Sequence, residues 1–151
     1  MKIGFVGFGL IGGSIAKAIK SAHPDCYIIV TSRTLSSIEP ARQDGIADEI
    51  TSSADSHFKD CDYIFLCTPV ITISQYLMQL QPIIKSTCII TDVGSVKGSI
   101  HQTVTKLGME DNFIGGHPMA GSELTGYANS SASLMTNAKY VITPTKKTTK
   151  E

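Results

Sequence analysis

The sequence predicts a doubly wound α/β domain on a mostly parallel sheet, and three observations carry that expectation. Its strand-like segments are continuous apolar runs rather than alternating patterns, as strands covered on both faces require. Those runs alternate along the chain with segments whose apolar residues recur at helical spacing. The first run leads directly into Gly7-Phe8-Gly9-Leu10-Ile11-Gly12, a glycine turn that opens the first helix.

Lys2 to Gly7 reads as a buried strand, and Leu10 to Ser21 as a helix with apolar residues at 11, 15, 16 and 19, closed by Pro24. Cys26 to Thr31 is a second, β-branched run. Ser36 to Asp44 is expected to be a helix capped by Ser36 or Ser37 and ended by Gly45. A short third strand is expected within Asp48 to Ser53 and a fourth over Asp62 to Cys67, stopped by Thr68-Pro69. A helix from Ile71 to Gln81 ends at Pro82, a fifth strand spans Thr87 to Thr91, and a helix spans Val96 to Leu107. Asn112 to Gly116 is a sixth strand, Leu124 to Asn137 holds one or two short helices, and Lys139 to Thr143 is a seventh strand ended by Pro144. No repeat or low-complexity segment interrupts this order.

At 151 residues the chain is expected to be one domain, 1–151, large enough to bury roughly two-thirds of its unfolded surface. Formal net charge is zero, which argues against nucleic acid or an anionic membrane as partner, and Lys146, Lys147 and Lys150 read as a solvated end. No run reaches the ~20 apolar residues of a membrane span, and the glycines from Gly4 to Gly13 break any signal-peptide core. Cys26, Cys61, Cys67 and Cys88 form no C-x-x-C pair and no zinc-like spacing with histidine, so reduced thiols, a cytoplasmic location and no metal are expected.

The glycine turn lies in a strand–helix–strand unit of the length that binds a dinucleotide. Gly7 permits the tight turn, Gly9 lets the backbone approach a pyrophosphate, and Gly12 lets helix and strand pack closely. Leu10, Ile11 and Gly12 then offer free N–H groups at the positive end of the helix. An NAD site places an acid about twenty residues on, at the end of the second strand. Here that place holds Ser32-Arg33-Thr34, which suits the 2′-phosphate of NADP; alternatively Arg33 stacks on the adenine or faces solvent while NAD binds without the acid. Cys67-Thr68-Pro69 either lines the cofactor's path or only ends its strand.

Asp92-Val93-Gly94-Ser95-Val96-Lys97 follows the fifth strand. Ser95 is a natural helix cap, or its hydroxyl faces the crevice. Lys97 opposes the helix dipole, so it attracts an anionic substrate or is simply solvated. His117, in the Gly/Pro-rich stretch Gly115 to Glu123, has extended backbone because Pro118 follows, and it is either a proton acceptor or a packed side chain. His23, His57 and His101 are given no role.

Taken together, Gly7 to Ser14, Asp92 to Lys97, Gly116-His117-Pro118-Met119-Ala120-Gly121-Ser122-Glu123 and Tyr140 to Pro144 resemble, in order, the prephenate/arogenate dehydrogenase family. That resemblance implies a Rossmann-type NAD(P)-binding domain and oxidative decarboxylation of a cyclohexadienyl acid in tyrosine biosynthesis. It implies that His117 deprotonates the ring hydroxyl with Ser95 assisting, that Gly94 lies at the cofactor, and that Ser122 and Glu123 edge the substrate pocket. It further implies a helical C-terminal domain, outside these residues, that dimerises and binds the substrate carboxylate, so that this part alone binds cofactor and turns over weakly. The alternatives are another NADP-dependent oxidoreductase of the β-hydroxyacid dehydrogenase or imine/ketoacid reductase type, or a non-catalytic NADP-binding module.

Overall fold

The apolar runs become strands because only the middle of a sheet, covered on both faces, hides every residue of such a run. Phe5, Val6, Ile28, Ile29, Val30, Ile64, Leu66, Ile90 and Phe113 are all fully buried. The computed structural model describes residues 1–148; Lys150, read above as part of a solvated end, lies outside them. Its strands are β1 (Lys2–Val6), β2 (Tyr27–Thr31), β3 (Glu49–Thr51), β4 (Tyr63–Leu66), β5 (Ile89–Asp92), β6 (Phe113–Pro118) and β7 (Tyr140–Pro144). Its α-helices are α1 (Leu10–Ala22), α2 (Glu39–Gln43), α3 (Val70–Leu80) and α4 (Gly98–Lys106).

One sheet holds all seven strands in the order β3-β2-β1-β4-β5-β6-β7. β1 to β6 are parallel, and β7 pairs antiparallel with β6, with His117 opposite Val141. The strand order reverses between β1 and β4, and the crevice outside their carboxyl ends is the natural ligand place in such a sheet. Two apolar clusters cover the faces. One packs Ile73, Leu77, Ile100 and Val104 of α3 and α4 on Ile64, Leu66, Ile90 and Phe113. The other packs Ile15, Ala16 and Ala41 of α1 and α2 on Phe5, Ile28 and Val30.

Four expectations change. The helix expected from Ser36 to Asp44 is a 3-10 turn, Leu35–Ser37, followed by the five-residue α2. Pro40 in the first turn of α2 has no N–H to continue a helix begun upstream, so neither Ser36 nor Ser37 caps it; Ser37 Oγ instead donates to the Thr34 carbonyl. The helix expected to begin at Val96 starts at Gly98. The strand covering is incomplete at β7, where Tyr140, Val141 and Ile142 are 39%, 48% and 63% exposed, as an edge strand with no crossover helix among the described residues permits. His117 lies inside β6 rather than in a turn after it.

The polar stretch before β7 forms two 3-10 turns, Tyr127–Asn129 and Ala132–Met135, that dock on α1. Tyr127 is buried, stacks on Phe8 with centroids 5.4 Å apart, lies under the Lys17 ammonium at 4.4 Å and donates to Asp44 Oδ2 at 2.8 Å. Gly13 makes this docking possible: a Cβ there would meet Ser130 Oγ at 2.7 Å and the Tyr127 ring at 2.8 Å. The neighbouring Ser14 Oγ accepts from the Ser131 N–H at 3.0 Å.

Candidate functional site

A cavity of about 340 Å³ opens at the carboxyl ends of β1, β2 and β4. Eight of the residues assigned to cofactor from the sequence line it: Gly7, Gly9, Ser32, Arg33, Thr34, Cys67, Thr68 and Pro69. Gly7 has φ +84°, and a Cβ on it would stand 2.7 Å from the Cys67 carbonyl oxygen. A Cβ on Gly12 would stand 2.7 Å from the Gly7 oxygen, so those two glycines are needed by the fold itself. Gly9 differs: nothing lies within 4 Å of its missing Cβ, so the open space there serves something other than packing. Gly9 is also the N-cap of α1 and offers no side-chain cap. The first N–H groups of α1, on Leu10, Ile11 and Gly12, therefore remain available to an anion.

Two further features mark the cavity as a receptor for a polar ligand. Thr68 Oγ1 is buried without a hydrogen-bond partner among the described residues, which costs stability unless a ligand completes it. Arg33 is exposed and its guanidinium makes no hydrogen bond or ion pair among the described residues. Cys67 is a different kind of wall. Burial, with the Asp92 carboxylate nearby, holds its thiol far above the ordinary range, so it stays protonated and acts as an apolar surface. Phe8, Ser37, Thr72 and Tyr76 also line the cavity and were not foreseen. Of these, Thr72 had a readable signal, a Pro-x-x-Thr helix start, and its hydroxyl donates to the Pro69 carbonyl at 2.8 Å.

The second half of the site joins the β5–α4 loop to β6. The fully buried Asp92 accepts from the N–H of Gly94 at 2.9 Å and of Gly116 at 3.3 Å. Lys97 Nζ donates to Asp92 Oδ2 at 2.5 Å, to the Gly94 carbonyl at 2.8 Å and to the Gly116 carbonyl at 2.5 Å. Lys97 is thus neither solvated nor free to draw in an anion, because its three protons are all engaged. Asp92, not Ser95, holds the turn that precedes α4, and Lys97 stands at the N-cap without capping the helix through its side chain. Ser95 is exposed, with its hydroxyl unengaged among the described residues.

His117 is half-buried, and its Nδ1 lies 3.1 Å from the Val93 carbonyl. A carbonyl only accepts, so Nδ1 carries a proton, and in the neutral imidazole the lone pair is then on Nε2, which makes no hydrogen bond among the described residues. Beside it the Tyr140 ring covers Gly116, where a Cβ would meet Tyr140 Cε1 at 2.6 Å, and burial pushes that phenol up to about 12. The remaining assigned residues are placed elsewhere. Gly94 does not line the cavity; its missing side chain leaves room for Val70 Cγ2 and Asp92 Oδ2, 2.9 and 3.0 Å from a built Cβ. Ser122 and Glu123 lie on an exposed loop, where Ser122 Oγ accepts from the Leu124 N–H at 3.1 Å and the Glu123 carboxylate makes no hydrogen bond or ion pair among the described residues.

Residues 15–151 match the family model described as the prephenate dehydrogenase nucleotide-binding domain. The chain belongs to the prephenate dehydrogenase family. The matched span contains both the Asp92–Lys97 loop and His117. A prephenate dehydrogenase of Bacillus subtilis is 38% identical over 150 residues, which are 96% of this chain and 40% of the relative. The crystal structure of Synechocystis arogenate dehydrogenase superposes with a TM-score of 0.89 at 40% identity, over 99% of this chain and 52% of that one. The A. aeolicus prephenate dehydrogenase in complex with hydroxyphenyl propionate and NAD+ superposes with a TM-score of 0.90 at 34% identity, with the same coverage. The chain thus spans about 40% of its curated relative and about half of its structural ones. Among the described residues no helix is long and apolar enough to cross a membrane, and no His, Cys, Asp and Glu cluster could hold a metal ion.

Proposed function

We propose that these residues are the cofactor-holding part of an enzyme that oxidatively decarboxylates prephenate or arogenate, with NADP preferred over NAD. The observation that carries the reading is the imidazole of His117, oriented by the Val93 carbonyl so that in its neutral form the lone pair is on Nε2, near the carboxyl end of β6 and so at the same end of the parallel strands as the cofactor cavity. The cavity suits a dinucleotide: Gly9 leaves room for a pyrophosphate, Thr68 Oγ1 lacks a partner, and Arg33 with Ser32 and Thr34 provides donors for a 2′-phosphate. A nicotinamide, when bound, supplies the hydride acceptor.

His117 Nε2 takes the proton of the ring hydroxyl as the C–H bond on the same carbon is lost as hydride, and Ser95 donates a hydrogen bond to that oxygen. The ring–carboxylate bond then breaks, CO2 leaves, and its electron pair completes the aromatic ring, whose oxygen regains the proton from His117. Ser122 and Glu123 edge the substrate place. The group that binds the ring carboxylate, and the surface that makes the enzyme a homodimer, are placed outside residues 1–151, in a helical C-terminal domain. On this reading the 151 residues alone bind cofactor and show little turnover, and the enzyme works in the cytoplasm.

Calorimetric titration of the 151-residue chain with NADP and NAD tests the cofactor half. NADP is expected to bind at least ~10-fold tighter, and Arg33→Ser to weaken NADP by roughly 10- to 100-fold while leaving NAD unchanged, the worth of one or two charge-assisted hydrogen bonds. Equal or tighter NAD binding overturns the preference. For the chemistry, the full-length enzyme is assayed with both substrates; His117→Asn is expected to lower kcat by about 10²–10⁴, and near-normal rates would remove His117 from the mechanism.

A further inference from the structure

Two opposite charges, Asp92 and Lys97, sit inside the site without a part in the chemistry above. The carboxylate is fully buried and the lysine side chain is 15% exposed. Burying such a pair is costly, and an apolar pair of similar volume often serves stability as well or better. Stability alone therefore does not account for the pair, and what it holds does.

The pair stands where the sheet splits. The β5–β6 ladder ends at Thr91↔Ile114, while β6 continues alongside β7 to Pro118. Beyond the last β5–β6 pair, this ion pair ties the backbone of the β5–α4 loop to that of β6, beside the imidazole bond of His117 itself. Asp92 and Lys97 between them engage the N–H and the carbonyl of Gly94, and the N–H and the carbonyl of Gly116. Gly94 is the neighbour of Val93, whose carbonyl accepts from His117; Gly116 is the neighbour of His117. Both ends of the 3.1 Å bond that fixes the imidazole are thus held by one buried pair. The glycines fit the same device: a Cβ on Gly115 would stand 3.3 Å from Lys97 Cδ, and one on Gly94 would stand 3.0 Å from Asp92 Oδ2.

We infer that Asp92 and Lys97 are positioning residues, which clamp the β5–α4 loop to β6 so that His117 is kept as the Nδ1–H tautomer with its lone pair on Nε2. The catalytic use of that lone pair rests on the function proposed above; the tautomer does not. Long-range ¹H–¹⁵N NMR of the labelled 151-residue chain at pH 8.5, where an ordinary imidazole is neutral, reads the tautomer without substrate or cofactor. His117→Asn assigns the signal. Lys97→Met alone leaves a buried carboxylate unpaired, so the decisive variant is Asp92→Asn with Lys97→Met, which removes both charges at similar volume.

The wild-type chain is expected to give a nearly pure Nδ1–H pattern. The double variant is expected to melt cooperatively and to bind NADP within about 3-fold of wild type, yet to give averaged shifts from both tautomers. Introduced into the full-length enzyme, it is expected to lower kcat by about 10- to 100-fold with the cofactor KM unchanged, the usual scale for a misplaced reacting group. A folded double variant that keeps the pure Nδ1–H pattern overturns the inference, whatever its rate. Asp92→Asn alone, which leaves Lys97 its two carbonyls, provides the same reading if the double variant does not fold: a mixed pattern supports the clamp and a pure one overturns it. A normal rate in His117→Asn enzyme would sink the proposed chemistry and leave the tautomer result standing.

Discussion

Gly9 and Gly12 separate what the fold needs from what the ligand needs. A methyl on Gly12 meets the Gly7 carbonyl oxygen at 2.7 Å, a backbone atom that cannot swing away. The overpacking costs about 1–3 kcal/mol, and the better helix propensity of alanine returns up to about 1 of that. At about 2–4 °C per kcal/mol for a domain of this size, a net loss of up to about 3 kcal/mol is expected to lower the Tm of Gly12→Ala by up to roughly 12 °C. A methyl on Gly9 meets nothing within 4 Å. Its cost is that of replacing an N-cap glycine by alanine, about 0.5–1 kcal/mol, or roughly 1–4 °C.

The ligand side reverses the order. The Gly9 methyl occupies the space in front of the α1 N-terminus, where a pyrophosphate oxygen would take its hydrogen bonds. Losing one or two charge-assisted hydrogen bonds costs about 2–4 kcal/mol, which is roughly a 30- to 700-fold weaker Kd. Thermal melts and calorimetric NADP titrations of the two variants provide the comparison. If Gly9→Ala binds NADP within about 3-fold of wild type, the open space does not receive the pyrophosphate. A loss of 10 °C or more in that variant would show that the space is needed by the fold after all.

Two other outcomes follow from buried groups. Thr68→Val keeps the shape of the side chain and removes a buried hydroxyl that has no partner among the described residues; it is expected to raise the melting temperature of the cofactor-free chain by roughly 2–6 °C and to weaken NADP binding, and a lowered Tm would mean that the hydroxyl is already satisfied. Burial pushes the thiols of Cys61 and Cys88 up to about 12 and about 11, whereas unfolded thiols ionise near 8.5. Between about pH 9 and 11 the unfolded chain therefore binds fewer protons than the native one, so stability that is complete below pH 8 falls as pH rises, by up to about 1.4 kcal/mol per pH unit for each thiol. Urea melts at pH 7, 9 and 10.5 check this against a Cys61→Ala, Cys88→Ala control, and an equal pH slope in the two proteins would exclude the thiols as its cause.

Most of the sheet was legible because each strand is declared by a local run of residues. Ile28 to Val30 or Ile64 to Leu66 need no partner to announce that they are buried on both faces. The glycine turn was legible for the same reason, since Gly7, Gly9 and Gly12 act within one strand–helix turn. Local signals failed where a second local rule overrode the first, as Pro40 did to the helix expected from Ser36. At β7 they located the strand but not its exposure, because its apolar residues are as β-prone as those of β2 yet lie at a sheet edge. Position in the sheet, not the composition of the run, decides whether its faces are covered.

The chemical half of the site was harder to read because it is made by contacts between segments distant in sequence. A lysine in the first turn of a helix opposes the dipole and, taken alone, reads as solvated or as bait for an anion. Lys97 is neither, because its ammonium meets a carboxylate five residues back and a carbonyl nineteen residues on. One clue was present: Asp92 ends an apolar strand, and a carboxylate buried there needs a cation within reach. Gly115-Gly116 misled in the other direction. The pair was expected to close the sixth strand with His117 in a turn beyond it, yet β6 runs on through His117, with Lys97 and His101 filling the space on one side of the glycines and Tyr140 on the other. The absent side chains are what let a cation, a phenol ring and an imidazole crowd around one strand. A histidine held this way has its orientation set by its neighbours rather than by its own loop, so substitutions at Asp92 or Lys97 should alter what His117 does more than substitutions at the exposed Ser122 or Glu123.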